Sequence, residues 1–175
     1  MRDNKHYRAI GEHYGRQTAV RSGVPLMAHI DEGLFILDLL GSSLRAKEAF
    51  CVHPMLQADE ALEASLEAGS VFLSHSLDPA AVVLAMAYRC AANAYLSHHC
   101  RGESDVVQLS ELKDVNDMLV ADKVQNRKDF EIHHLHRHER SDILAVYFAN
   151  WLRALGVSES RYQEMVGALA AKVGR

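Results

Sequence analysis

The feature that most constrains this chain is the helical spacing of its apolar residues, which recurs in one segment after another. Apolar side chains follow Pro25 at steps of three and four residues, and Gly41 is placed to end that segment. Asp78-Pro79 is a second start signal, with an N-cap side chain before Pro at the first helical position. Ala (23) and Leu (21) dominate and Thr occurs once, which is the composition of helices rather than sheets. The sequence therefore predicts an all-α fold.

The start and stop signals predict a bundle of about seven or eight helices. With 175 residues, the chain is long enough for one well-buried domain and too short for two ordinary ones, so we expect a single domain over 1–175. We expect a polar loop over 101–105 and an interruption at Pro54. The expected helices cover about 25–40, 43–52, 59–68, 79–98, 110–124, 141–155 and 158–169.

Charge and composition exclude several classes of protein. The net charge of −4 gives no basic field for nucleic acid or an anionic membrane. The longest apolar run, Ala80–Tyr88, is far shorter than the roughly 20 residues of a membrane span, and no apolar signal segment follows Met1. The three cysteines lack C-x-x-C spacing, which favours a reducing compartment and argues against a zinc knuckle. We therefore expect a cytoplasmic protein with neither nucleic acid nor membrane as partner.

Histidine is abundant, with 11 residues, and its densest cluster is His133–His138. On a helix His134 and His138 would share one face, as two metal ligands can. The cluster lacks the glutamate of a zinc-protease motif, and we interpret it as a solvated, partly cationic loop between two helices.

Three other polar residues stand among apolar neighbours, where a polar side chain requires a partner. They are His29, His53 and Asp122. Each alone is more often a satisfied core residue than a ligand. Together they supply two imidazoles and a carboxylate, a set that suits Mn, Fe or Zn.

These residues lie in an ordered series of motifs. Arg21-Ser22-Gly23-Val24-Pro25 leads to His29, His53 follows, and Ala121-Asp122-Lys123 leads to Asn126. In this series the chain resembles the HD-domain superfamily of metal-dependent phosphohydrolases, and within it the RelA/SpoT hydrolase domain and the small alarmone hydrolases. His13 and Gly15 stand where that group has its preceding H-x-G element. The resemblance extends from His13 to Asn126.

The resemblance implies an all-α fold and a pyrophosphohydrolase-like activity on a nucleotide or other small phosphorylated ligand. It implies a divalent metal, with Mn²⁺ the first choice and Fe or Zn the alternatives, held by His29, His53 and Asp122. It places three further side chains toward the substrate, those of Arg21, Lys123 and Asn126.

The chain departs from the family pattern at the metal and the acid/base positions. Pro54 replaces the aspartate that follows the second histidine, so one of four ligands is missing. The family's Glu-Asp pair falls on Gln57-Ala58, with Asp59 one position late, which makes Gln57 and Asp59 the candidate catalytic residues. Val20 replaces the first residue of a basic pair. Three ligands can still hold a catalytic metal, but positioned proton transfer is worth about 10²–10⁴-fold and its loss would slow turnover.

Two polar residues on the long helix after Pro79 are also candidates for substrate binding. Arg89 and Asn93 are four residues apart on one face, where they could contact a phosphate or a base. The alternative is that Arg89 ties helices together by pairing with Asp38 or Asp117.

Three interpretations remain open at this point. The chain is a divergent metal-dependent phosphohydrolase, or a catalytically inactive HD-fold protein retained as a ligand-binding or interaction module. The third is an unrelated helical bundle in which the motif matches are accidental. The sequence is compatible with a homo-oligomer and does not identify one substrate.

Overall fold

Helices account for the regular structure in the computed structural model, which describes residues 1–20, 22–67 and 74–173. Within these ranges there is no β-strand, and an isolated bridge joins Thr18 to Pro25. The all-α prediction is confirmed. Nine helices lie in these ranges; eight have nine or more residues, in agreement with the predicted seven or eight, and α4 has four. The helices are α1 Lys5–Tyr14, α2 Leu26–Leu39, α3 Leu44–Val52, α4 Pro54–Gln57, α5 Asp59–Glu67, α6 Pro79–Ala94, α7 Lys113–His133, α8 Ser141–Ala154 and α9 Glu159–Val173.

Several helix boundaries are set by local capping, as predicted. The Ser43 hydroxyl accepts a hydrogen bond from the amide of Ala46, and the Asp78 carboxylate accepts one from Ala80. Gly41 and Gly156 follow α2 and α8 with φ of +65° and +70°, a backbone conformation that glycine adopts without strain. The predicted end of the helix over 59–68 lies outside the described residues.

Other boundaries differ from the prediction because distant residues decide them. Helix α6 ends at Ala94 rather than near His98, and the Tyr95 carbonyl accepts a hydrogen bond from the Trp151 indole at 3.2 Å. Helix α7 begins at Lys113 and continues nine residues beyond Val124. Helix α1 was not predicted, because its sequence is mostly polar and buries only a narrow stripe that includes Ile10.

The predicted interruption at Pro54 is a joint between two helices. His53 ends α3 and directly precedes Pro54, which opens the four-residue helix α4. Proline is tolerated there because the first residue of a helix has no intrahelical partner for an amide hydrogen. The joint keeps His53 buried at the end of α3.

Helix α7 is the centre of the bundle and packs against α2, α3, α6, α8 and α9. It is therefore buried on most sides through Val115–Gln125, a stretch that includes the charged residues Asp122 and Lys123. Helices α2 and α3 approach closely at Gly33, where a Cβ atom would overlap the ring of Phe50. This packing brings the first turn of α2 and the end of α3 to the middle of α7. None of the helices in the described part of the chain is long and apolar enough to cross a membrane.

Candidate metal centre

Helices α2, α3 and α7 bring His29, His53 and Asp122 together, as the sequence predicted. The Nε2 atoms of the two histidines lie 3.4 Å apart. Asp122 Oδ1 lies 3.5 Å from His29 Nε2 and 4.0 Å from His53 Nε2. The three potential ligand atoms thus face one point, although the residues are far apart in sequence.

The hydrogen bonds of the two imidazoles indicate which ring nitrogens face that point as acceptors. His53 Nδ1 lies 2.6 Å from the Phe50 carbonyl oxygen, and His29 Nδ1 lies 2.7 Å from Gln125 Oε1. Because both oxygens are acceptors, they favour a proton on each Nδ1, which in a neutral ring leaves the lone pair on Nε2. Burial, and then the neighbouring His29, lower the pKa of His53 to about 3, so its ring is neutral near pH 7. With both rings neutral, two imidazole lone pairs and a carboxylate oxygen converge with no hydrogen between them.

This convergence fits a divalent cation. Two ligand atoms bound at about 2.1 Å to one tetrahedral ion are about 3.4 Å apart, close to the separations found here. Neutral imidazole and carboxylate are ligands that Mn, Fe and Zn accept. Pro54 offers no donor group, so the set provides three protein ligands and leaves a position for water or substrate, as catalytic metal sites do.

Asp122 is held by two neighbours on its own helix. Asn126 donates a hydrogen bond to Oδ1 at 2.9 Å, and Lys123 Nζ lies 2.8 Å from Oδ2 in an ion pair. Burial opposes the charge of Asp122, but Lys123 and the two histidines hold its pKa below the ordinary range. Burial likewise opposes the charge of Lys123, while Asp122 raises its pKa. The Asp122–Lys123 pair has no net charge, so a divalent ion would give the centre a positive charge suited to an anionic ligand.

The three residues lie against a cavity of about 520 Å³. Lys123, Asn126 and Gln57 are part of its lining, as is Tyr14, whose pKa burial and the charge of Asp122 raise to about 12. Arg21, predicted on the substrate side, lies outside the described residues. The apolar part of the wall is formed by Leu26, Leu96, Phe130, Leu144, Tyr147 and Phe148. The cavity thus combines polar groups at the metal centre with an aromatic and aliphatic wall.

Arg89 and Asn93 hold helix α4 rather than line the cavity. Arg89 donates hydrogen bonds to the carbonyl oxygens of Leu56 and Gln57 and pairs with the exposed carboxylate of Asp59. Asn93 donates to the Gln57 carbonyl at 3.1 Å. Arg89 therefore ties helices together, as one alternative predicted, but through Asp59.

The carboxylates named in that alternative have other partners. Asp38 pairs with Lys47 at 2.7 Å, and Asp117 pairs with Lys113 and accepts a hydrogen bond from Ser42. Their proposed pairing with Arg89 was wrong.

The dense histidine cluster lies between α7 and α8, in the loop interpreted from the sequence, apart from His133, the last residue of α7. Helix α7 ends at His133, and His136 adopts a positive φ of 60°. His134 lines the cavity, and its ring centroid lies 6.5 Å from that of His138. His13 packs its ring against Tyr14 and does not belong to the lining.

Gln125 and the aromatic wall were not found from the sequence. Gln125 lies three residues after Asp122, a spacing that puts both on one face of α7 and could have identified it. The aromatic residues of the wall, Phe130, Tyr147 and Phe148, come from α7 and α8 and carry no motif. No family model, curated protein or solved structure matches the chain.

Proposed function

We propose that this chain binds a divalent metal ion through His29, His53 and Asp122 and hydrolyses the phosphate group of a nucleotide or another small phosphorylated molecule. The observation that carries the proposal is the convergence of three lone-pair atoms beside a cavity of small-molecule size. Three acceptors at this spacing repel one another unless a cation lies between them. Mn²⁺ is the first choice, with Fe and Zn as alternatives.

The residues around the centre have separate tasks in this proposal. When bound, the metal supplies a water of lowered pKa, about 7, and a Lewis acid for a phosphoryl oxygen. Asn126 orients the Asp122 carboxylate through its hydrogen bond to Oδ1. Lys123 lines the cavity and is charged, so it offers a cation to the substrate phosphate.

The remainder of the cavity suits the organic part of such a substrate. Tyr147, Phe148 and Phe130 give an aromatic wall on which a nucleobase could stack. Ser22 and Asp129 add polar groups to the lining. A phosphate at the metal and an apolar or aromatic group against the wall would fill both halves of the cavity.

A specific observation favours a second candidate, a catalytically inactive binding module. Pro54 and Gln57 line the cavity without supplying a carboxylate, and the carboxylate of Asp59 pairs with Arg89 outside the lining. In this candidate, no group of the lining is positioned to transfer a proton, and the site loses the roughly 10²–10⁴-fold that such transfer contributes. Such a protein would bind metal and ligand without turnover.

The two candidates are separated by loading metal-free protein with Mn²⁺, Fe²⁺ or Zn²⁺ in turn and measuring bound metal and phosphate release. Nucleotides and sugar phosphates serve as the substrate panel. We expect one ion per chain and phosphate release that Asp122→Asn abolishes. Asp38→Asn, which alters only an ion pair with Lys47 away from the cavity, is the matched control and should behave as wild type.

Each result has a definite reading. Wild-type protein that binds none of the three ions contradicts the metal centre. Stoichiometric metal without phosphate release from any member of the panel contradicts the hydrolase and supports the binding module. In that case, Pro54→Asp should tighten metal binding, since it supplies an additional carboxylate next to His53.

A further inference from the structure

Gln125 is a buried polar residue next to the metal centre that none of the sequence motifs includes. It lies on α7 and is 1% exposed. Its side-chain amide reaches His29 on one side and two carboxylates, those of Glu32 and Asp129, on the other. A buried amide with partners on both ends has a fixed orientation, and that orientation decides what His29 can do.

The two carboxylates determine which way the amide points. Gln125 Nε2 lies 2.8 Å from Asp129 Oδ2 and 3.1 Å from Glu32 Oε2, and both oxygens accept hydrogen bonds. The reversed amide would place its oxygen against two acceptors and its NH₂ group against His29. Lys128 pairs with both Glu32 and Asp129 and so keeps the two carboxylates in place. Gln125 Oε1 therefore faces His29 Nδ1, at 2.7 Å.

We propose that Gln125 is the positioning residue of this centre: its amide oxygen keeps the His29 proton on Nδ1 and thereby leaves the Nε2 lone pair for a metal ion. The part concerning metal rests on the proposed function, whereas the tautomer of His29 does not. Partners of this kind fix the tautomer and the ring orientation of metal-binding histidines.

The alternative tautomer shows why this position matters. With its proton on Nε2, His29 could donate toward Asp122 Oδ1 at 3.5 Å or His53 Nε2 at 3.4 Å. The cluster would then satisfy itself by internal hydrogen bonds and offer one ligand fewer. Gln125 disfavours this because its amide oxygen lies 2.7 Å from Nδ1, closer than either acceptor on the Nε2 side of the ring. Removing such a partner typically weakens metal binding by about 10–100-fold.

The first test compares Gln125→Met, which keeps the shape of the side chain and removes the acceptor, with wild type. Gln163→Met is the control, because Gln163 is exposed on α9 and donates to Glu159. Zn²⁺ affinity is measured by competition with a chelator. We expect a loss of about 10–100-fold for Gln125→Met and a change of less than about twofold for the control.

The second test reads the tautomer directly in metal-free protein. The ¹⁵N chemical shifts of the His29 ring, assigned with a His29→Gln variant, distinguish a protonated from an unprotonated ring nitrogen. We expect Nδ1–H in wild type and a shift of population toward Nε2–H in Gln125→Met. A merely structural role for Gln125 would change the stability of the fold and leave these shifts unmoved.

A rescue variant keeps the proposal testable if Gln125→Met does not fold. Exchanging the groups, as Gln125→Glu with Glu32→Gln and Asp129→Asn, presents a carboxylate oxygen to His29 and places amide donors at positions 32 and 129, so that the new carboxylate faces no other carboxylate. We expect Nδ1–H and a Zn²⁺ affinity within about threefold of wild type. A folded exchange variant with the Nε2–H tautomer would overturn the proposal.

Failure of this proposal and failure of the proposed function are distinguishable. An unchanged tautomer and unchanged Zn²⁺ affinity in Gln125→Met overturn the role of Gln125 while leaving the metal centre intact. Wild-type protein that binds no Zn²⁺ contradicts the metal centre, and the tautomer measurement still decides whether Gln125 positions the proton of His29.

Discussion

Among the described residues, histidine is buried at two places, which differ in the partner of Nε2. His6 of α1 is fully buried; its Nε2 accepts a hydrogen bond from the Asp78 amide at 2.9 Å, and its Nδ1 lies 2.8 Å from Asn4 Oδ1. His53 is almost as buried, and its Nδ1 also lies within hydrogen-bond distance of an oxygen, the Phe50 carbonyl at 2.6 Å. Its Nε2, however, faces the Nε2 of His29 and a carboxylate oxygen.

The comparison shows that burial alone does not identify a metal ligand. Burial lowers the pKa of both His6 and His53, so both rings are held neutral. His6 uses both nitrogens within the fold and fastens α1 to the start of α6. His53 retains a lone pair directed at other acceptors, which is what a cation requires. The four histidines of His133–His138 are closer in sequence, but they form a turn.

The largest expected effect concerns the charge beneath the histidine pair. Asp122→Asn leaves Lys123 buried without its anion, and breaking a buried pair in this way costs about 3–5 kcal/mol. Urea unfolding in the presence of a chelator measures the loss. The control is Asp78→Asn beside His6, which keeps an oxygen for the Ala80 amide and should change the free energy of unfolding by less than about 0.5 kcal/mol. Equal losses in the two variants would contradict the assignment of a buried charged pair.

Metal affinity should separate the two kinds of histidine. His53→Leu removes a ligand and should weaken Zn²⁺ or Mn²⁺ binding by more than about 100-fold, a larger loss than that caused by removing an outer partner. His6→Leu should change the affinity by less than about twofold. Chelator competition and metal analysis of both purified variants give the answer. Similar affinities in the two variants would remove the distinction drawn above.

Stability in the absence of metal should also depend on His6. His6→Leu leaves the Asp78 amide without its acceptor, which should lower the free energy of unfolding by about 1–3 kcal/mol. His75→Leu is the matched control, because His75 pairs with the exposed carboxylate of Glu12 and a surface pair contributes about 0–1 kcal/mol. Both are measured by chemical denaturation in chelator. A His6 variant as stable as wild type would show that the Asp78 amide finds another partner.

The smallest expected effect is the change in the free energy of unfolding for each unit of pH. The pKa of His53 falls from 6.5 to about 3 on folding, so below pH 6.5 the unfolded chain binds a proton that the folded protein does not. In chelator, the free energy of unfolding attributable to this group should fall by about 1.4 kcal/mol per pH unit between 6 and 4. The depressed pKa of Asp122 adds stability that is present above its ordinary value of 3.8 and is lost at lower pH.

Denaturation of wild type and His53→Leu at pH 7, 6, 5 and 4 tests this dependence. The variant should show a shallower decline, because it lacks one group that takes up a proton on unfolding. Parallel declines would mean that His53 is not held neutral by the fold.

The predicted part of the fold is the part governed by neighbours in sequence. Ser43, Asp78 and Gly41 mark helix ends by bonds and conformations within a few residues, and the apolar period identified the bundle. Helix α1 was missed because its sequence is mostly polar and only His6, Ala9 and Ile10 of it are buried. The end of α6 was misplaced because Trp151, 56 residues from Tyr95, takes part in ending it.

The candidate site shows the same division. The sequence was sufficient to identify the three candidate ligands, His29, His53 and Asp122. Polar residues in apolar surroundings and an ordered series of motifs are signals that can be read locally. Only the tertiary structure decided the distances among them and the hydrogen bonds from Arg89 to α4. It also decided the contact between Gln125 and His29, which are 96 residues apart in sequence. The reason is physical: caps and helical periods depend on nearby residues, whereas a lone pair's direction depends on whichever partner the packed helices place beside it.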